Sequence, residues 1–262
     1  MPVPTDHAGL TRLLEDGGFV AAPEEADELL AAADGGAGRL DALVRRRLTG
    51  EPLAWITGSA ELCGVVVGVD PGVYVPRWQT EVLAARARER LPVGGTAIDA
   101  CTGAGAIACV LRAHDPRARI VGTDADPASV ACARRNGVEA LEGDLLDPVP
   151  DTLHGAVDLV VAVVPYVPTA ELGLLQRDTL TFESTRSYDG GPDGLGLLRR
   201  VAADARRFLR PGGALLLELG GDQDAVVAPE LTALGYVDVT TLRDEDGDVR
   251  GIEATFGRAP SS

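Results

Sequence analysis

The run Thr96-Ala-Ile-Asp-Ala-Cys-Thr-Gly-Ala-Gly-Ala-Ile-Ala-Cys109 constrains this chain most: an apolar strand passes through Asp99 into a glycine-tight loop and then into a helix. Gly103 and Gly105 permit backbone angles and a close ligand approach that a side chain blocks. The helix that follows directs unpaired N–H groups into the same crevice. The loop is therefore a nucleotide-binding turn, with Cys101, Thr102 and Ala104 in its lining. Taken as G-x-G-x-x-A, Gly103 to Ala108 also fits the loose dinucleotide fingerprint, so the loop by itself leaves the cofactor open.

Two further carboxylates follow at strand ends. Arg119-Ile-Val-Gly-Thr-Asp124 reads as the second strand; Asp124, with Ala125 beside it, ends it about 20 residues past the glycines, where ribose hydroxyls are gripped. Asp144, in Leu141-Glu-Gly-Asp-Leu-Leu-Asp147, offers an acceptor for the exocyclic amine of adenine, with Leu145 adjoining. Aspartate is common in turns, which is the competing explanation for three such acids. Their order around one glycine loop resembles the class I S-adenosylmethionine (SAM) methyltransferases.

Length and charge exclude several alternatives. A chain of 262 residues holds one sizeable α/β domain plus a small addition. Its formal charge of −16, with all 24 basic residues arginine, argues against a general nucleic-acid binder, whose affinity comes from phosphate neutralisation. Arg45-Arg-Arg47 is expected to be a solvated helix face. No apolar run reaches membrane-spanning length and the N-terminus lacks a signal pattern, so a cytoplasmic protein without a membrane partner is expected. Cys63, Cys101, Cys109 and Cys132 lack metal-ligand spacing, and His7, His114 and His154 stand apart, so no metal is expected.

Helical spacing of Leu10, Leu13 and Leu14, a segment from Pro23 to Ala33 and another from Leu40 to Leu48 predict a small helical cap over residues 1–50. Residues 51–80 read as a β linker or hairpin, and 81–262 as the catalytic domain. There, strands ending at Asp99 and Asp124, a strand Val157–Val164 and a strand Ala214–Glu218 alternate with helices, the pattern of a parallel doubly wound sheet. Asp244-Glu-Asp-Gly-Asp248 turns the last strand back antiparallel.

The order of these motifs resembles the HemK/PrmC family of SAM-dependent methyltransferases, which modify a glutamine side-chain amide in release factors. Arg46-Arg-Leu-Thr-Gly-Glu-Pro52, Val75-Pro-Arg-Trp-Gln-Thr-Glu81, Phe182-Glu183, Asp189-Gly-Gly-Pro-Asp-Gly-Leu195 and Arg210-Pro-Gly-Gly213 carry the likeness. Cys101-Thr-Gly and Pro165-Tyr-Val-Pro-Thr169 bring it nearest a PrmC-related branch without an assigned substrate. The resemblance implies a Rossmann-like class I SAM-methyltransferase fold, N-methyl transfer, and S-adenosylhomocysteine as product. By the same likeness Asp99 and the loop hold the methionine end, Asp124 the ribose, and Asp144 with Leu145 the adenine. Val163, Val164, Pro165 and Tyr166 line the acceptor site, with Tyr166 and the Val164 carbonyl orienting the acceptor. Glu183 lines the pocket or takes a proton, pairing with Arg186 being the structural alternative. Arg77 lies beside the site with Thr80 and Glu81, which a helix start also explains.

One departure is sharp. The family's Asn-Pro-Pro-Tyr reads Val163-Val164-Pro165-Tyr166, and the sole asparagine of the chain is Asn136. The asparagine oxygen helps orient the two amide N–H groups, and valine cannot. An altered acceptor is expected, either a release-factor-like protein or a small metabolite. A simple two-residue extension of the buried strand is the competing explanation of the valines. Competing functions are a SAM-binding protein that does not transfer methyl (a regulator or cyclase) and an NAD-type oxidoreductase.

Overall fold

The computed structural model describes residues 3–175 and 181–257. Its centre is a seven-stranded sheet of β3 (Thr96–Ala100), β4 (Arg119–Asp124), β5 (Glu139–Glu142), β6 (Val157–Ala162), β7 (Leu209–Glu218), β8 (Tyr236–Arg243) and β9 (Val249–Phe256). The order across it is β5-β4-β3-β6-β7-β9-β8. The pairs from β5 to β7 are parallel, whereas β9 runs antiparallel between β7 and β8, as the acidic turn at 244–248 predicts. The chain progresses outward in opposite directions from β3 and β6, so a crevice opens at their carboxyl ends, where ligands bind in open α/β sheets.

Both faces of the sheet are buried, and the strands show it residue by residue. Ala97, Leu159, Val161 and Leu216 face one core, with Leu83, Ala87, Ile107 and Val130 from the covering helices. Their neighbours Ile98, Val160, Leu215 and Leu217 face the other, with Leu198, Val201, Ala205 and Phe208 of the Gly196–Phe208 helix. Alternation between two cores explains why these strands read as nearly continuous apolar runs.

Helices His7–Asp16, Ala22–Ala33 and Ala37–Arg47 enclose a third core around Leu10, Leu14, Leu29, Leu40 and Val44. A short helix, Leu53–Thr57, then leads into a hairpin of β1 (Ser59–Leu62) and β2 (Val65–Gly68), turning through Cys63 and Gly64 at positive φ. The arginine run is the expected solvated face only in part: Arg45 is exposed and Arg46, paired with Glu51, is half-exposed, but Arg47 turns inward. Arg47 is largely buried, pairing with Glu25 at 2.6 Å and lying over the Phe19 ring at 4.0 Å, while Arg45 meets Asp41 one turn back. Among the described residues no helix is long and apolar enough to cross a membrane.

Strand β6 ends at Ala162, so Val163 and Val164 are not the two-residue strand extension that β-branching alone suggests. They begin an irregular segment at the mouth of the crevice.

Candidate active site

The glycine loop closes by local bonds. Thr102 donates its hydroxyl to Asp99 Oδ2 at 2.6 Å, and the Ala108 N–H of the following helix (Ala106–His114) reaches the same oxygen at 3.2 Å. One helix N–H that the sequence directs into the crevice is thus taken by Asp99. Cys101 sits at φ 56°, Gly103 at φ 56° and Gly105 at φ 83°. A Cβ on Gly105 would stand 2.8 Å from Val138, whereas one on Gly103 would meet nothing within 4 Å. Gly105 packs against protein, and Gly103 borders open space that a ligand can fill.

Asp124 reaches this loop from β4. Its Oδ2 accepts from the Gly103 N–H and its Oδ1 from the Asp126 N–H, both at 2.9 Å. Each oxygen keeps a lone pair for a diol. Burial raises the carboxyl's pKa, opposed by these backbone bonds. Burial also raises the Cys101 thiol, and Asp124, Asp99 and Asp144 add to that shift while Arg200 opposes it. The three aspartates therefore converge on Cys101. Asp144 is the outermost, its side chain 56% exposed and bonded to Arg200 at 2.7 Å, while Leu145 beside it is buried at φ 48°. Thr102 and Ala104 are buried and Ala125 follows Asp124 at the crevice edge.

A second group of polar side chains lies on the far side of β6. Tyr166 donates its hydroxyl to Glu218 Oε1 at 3.2 Å, and Thr80 donates to Oε2 of the same carboxylate at 2.6 Å. A helix does start at Glu81 with Thr80 at its N-cap position, as expected, but the Thr80 hydroxyl makes no cap bond and is spent on a tertiary bond 138 residues distant. Glu81 accepts from the Cys63 N–H. Glu183 does not pair with Arg186. It is buried, accepting from the Val75 N–H at 3.0 Å, from Arg77 and from the Tyr188 hydroxyl. Tyr74 lies edge-on to Tyr188, ring centroids 5.6 Å apart, with Arg77 over its face. A cavity of about 390 Å³ opens beside Arg77 and Glu183, lined also by Leu53, Val75, Glu28 and Glu61.

Val163 and Val164 divide between the cores. Val163 is half-buried and packs on the same core as Phe182, whereas Val164 is buried on the opposite side with Leu195 and Leu219. Pro165 and Tyr166 follow, partly exposed. Sequence reasoning missed Glu218, Tyr188, Tyr74 and Gln223. Glu218 carried a usable signal, since it ends an apolar strand as Asp99 and Asp124 do; the others carried none.

A parallel sheet with an antiparallel final hairpin, a glycine loop after its first parallel strand and an acid ending the next define a class I SAM-dependent methyltransferase. A methyltransferase from Pyrococcus furiosus shares the fold, with a TM-score of 0.54 at 19% identity over 81% of this chain and 97% of that one. No family model matches the chain. The release factor glutamine methyltransferase of Geobacter sulfurreducens is 37% identical over 221 residues, 82% of this chain and 77% of that protein. The 4-amino-L-phenylalanine/4-methylamino-L-phenylalanine methyltransferase of Streptomyces pristinaespiralis is 38% identical over 236 residues, 86% and 80% of the two chains. The chain belongs to the HemK/PrmC family of protein-(glutamine-N5) methyltransferases. It is an enzyme that uses SAM and yields S-adenosylhomocysteine.

The donor set fits that cofactor: open space at Gly103 and carboxylates with unused lone pairs suit a cationic, diol-bearing ligand. Burial pushes the Asp99 carboxyl up to about 7, with Thr102 and Ala108 opposing and Asp124 adding. In the unliganded fold, the stability tied to a protonated Asp99 is present below its ordinary range and lost as pH rises to about 7. A bound methionine ammonium favours the ionised form. If the methionine ammonium lies against Asp99 as proposed below, SAM affinity is expected to rise as pH climbs toward about 7 and to level off above it, by about tenfold overall for each unit by which the ligand lowers this pKa, and to be flat in Asp99→Asn. Calorimetry across pH checks it; a slope persisting in Asp99→Asn removes Asp99 as its source.

Proposed function

We propose that this enzyme methylates an amine nitrogen less polar than a glutamine amide, with an arylamine on a small molecule as the acceptor class. The carrying observation is Val163, half-buried just past β6 where the family has asparagine. An amide nitrogen delocalises its lone pair and needs acceptors that hold both N–H groups in place. An arylamine nitrogen is neutral near pH 7 and nucleophilic, so it needs alignment and exclusion of water more than amide orientation. Valine supplies apolar contact for a ring. A relative of similar identity is named for 4-amino-L-phenylalanine, so a scaffold of this kind is compatible with the arylamine class.

SAM, when bound, supplies the electrophilic methyl. In this reading Asp99, Cys101, Thr102, Gly103, Ala104 and Gly105 cradle its methionine end, Asp124 with Ala125 grips the ribose, and Asp144 with Leu145 borders the adenine. Val163 and Pro165 contact the acceptor, the Val164 carbonyl takes one amine N–H, and Tyr166 packs on the ring. Arg77 and Glu183 neutralise one another at the rim. We place residues 1–50 as a helical cap, 51–80 as the linking hairpin and 81–262 as the catalytic domain of a cytoplasmic enzyme.

Mass spectrometry after incubation with SAM and either 4-amino-L-phenylalanine or a release factor tests the acceptor. Methylated arylamine with S-adenosylhomocysteine, and an unmodified release factor, is expected. Glutamine methylation at ordinary turnover with the arylamine untouched overturns the reading, as does SAM binding with neither acceptor methylated.

A further inference from the structure

We infer that Gln223 is a positioning residue for the acceptor loop, clamping the Tyr166–Val167 peptide while a glycine-lined seat holds residues 165–166, and so fixing the direction of the Val164 carbonyl just before them. The functional part of this inference rests on the reading above that this carbonyl faces the acceptor. Gln223, the first residue of the helix Gln223–Ala233, donates its Nε2 to the Tyr166 carbonyl at 2.9 Å. Its Oε1 accepts from the Gly220 N–H at 3.1 Å, so the side chain is anchored at both ends.

The seat comes from two separate loops. A Cβ on Gly190 would stand 2.8 Å from the Pro165 carbonyl oxygen, and one on Gly194 would collide with the Tyr166 carbonyl oxygen. A Cβ on Gly220 would lie 3.1 Å from the Tyr166 ring. Three glycines thus stand where the chain presses on residues 165–166. This gives Asp189-Gly-Gly-Pro-Asp-Gly-Leu195 a role in the site that its turn-forming composition does not disclose.

The segment that follows Tyr166 is also stitched to the first of these loops. Val167 N–H donates to the Tyr188 carbonyl and Gly190 N–H to the Val167 carbonyl, both at 2.9 Å, and the Thr169 hydroxyl donates to Asp189 Oδ1 at 2.6 Å. Strand β6 makes no ladder pair beyond Ala162, so this seat, with Gln223 as its clamp, holds the segment that the sheet no longer holds.

Hydrogen exchange of the whole chain, read by mass spectrometry on Gln223→Ala and Gln223→Glu, tests the inference. Glutamate keeps the acceptor for Gly220 but loses the donor to Tyr166. In both variants the Val167 and Gly190 amides are expected to exchange at least about tenfold faster, with the amides of β8 and β9 unchanged. On 4-amino-L-phenylalanine, kcat is expected to fall about tenfold while the Kd for SAM stays within about twofold. Unchanged exchange at Val167 and Gly190 overturns the clamp, as does a loss of SAM affinity matching the loss of kcat. Faster exchange in a protein whose parent methylates no arylamine keeps the clamp and overturns the proposed acceptor.

Discussion

Asp124→Ala is expected to raise the Kd for SAM by about 100-fold or more, because each charge-assisted hydrogen bond to a ribose hydroxyl is worth roughly 1.5–3 kcal/mol and two are lost together. Asp147→Ala should leave the Kd within about twofold. Asp147 is exposed and belongs to the turn closed by its own N–H on the Asp144 carbonyl, pointing no bond at the loop. Asp124 is tied to the loop itself through the Gly103 N–H, so alanine removes both a ligand contact and a loop anchor. Asp124→Asn separates these contributions: one side-chain oxygen remains for Gly103, the charge is gone, and an intermediate Kd is expected. Calorimetry on the three variants measures all of this. Equal affinities for Asp124→Ala and Asp147→Ala would remove Asp124 from the site.

The cofactor half was legible in sequence because each of its parts is a contiguous strand–loop unit. Asp99, the glycines and Asp124 fall within Thr96–Asp124, and local rules for strands, turns and helix starts fix their mutual placement. Asp126 shows the same local logic: an aspartate directly before Pro127, it caps the helix Pro127–Arg135 by accepting from the Ala128 N–H. The acceptor half was not legible because its bonds span the chain. Glu183 meets Arg77 from 106 residues earlier, and a short 3₁₀ turn, Thr185–Ser187, capped by Ser184, occupies the stretch between Glu183 and Tyr188. A pairing of Glu183 with Arg186 assumed regular helical spacing there. Glu218 shows the strand-end signal that Asp124 shows, but what brings it into the site, the convergence of Thr80 and Tyr166 on its carboxylate, again spans the chain. Asn136, the sole asparagine, stands at the C-cap of the helix Pro127–Arg135, where nothing in its neighbourhood in sequence discloses its partners. It bonds the Gly68 N–H and carbonyl and the Ala104 carbonyl, fastening the β1–β2 hairpin to the cofactor loop, a contact between segments distant in sequence.

The largest change in specificity is expected at the two valines. Val163→Asn should leave SAM affinity intact and lower turnover on an arylamine roughly tenfold to a hundredfold, because an unpartnered amide beside an apolar ring costs ~1–3 kcal/mol. Asparagine alone is not expected to create glutamine chemistry. The second acceptor is the backbone carbonyl of residue 164, and proline there fixes φ in a way that valine does not. Neither the β3 nor the β7 ladder extends past Ala162, so proline at 164 breaks no ladder hydrogen bond, and the double change Val163→Asn with Val164→Pro is structurally accessible. It is the stricter test. The apolar packing of Val164 with Leu195 and Leu219 is largely retained by the proline ring, so SAM affinity should again match the parent. If the valines adapt the site to a less polar acceptor, the double variant loses arylamine turnover while release-factor methylation, followed by mass spectrometry, stays at background. If the double variant methylates release-factor glutamine and the parent methylates no amine, the parent is a decayed glutamine methyltransferase. The altered-acceptor reading is then wrong.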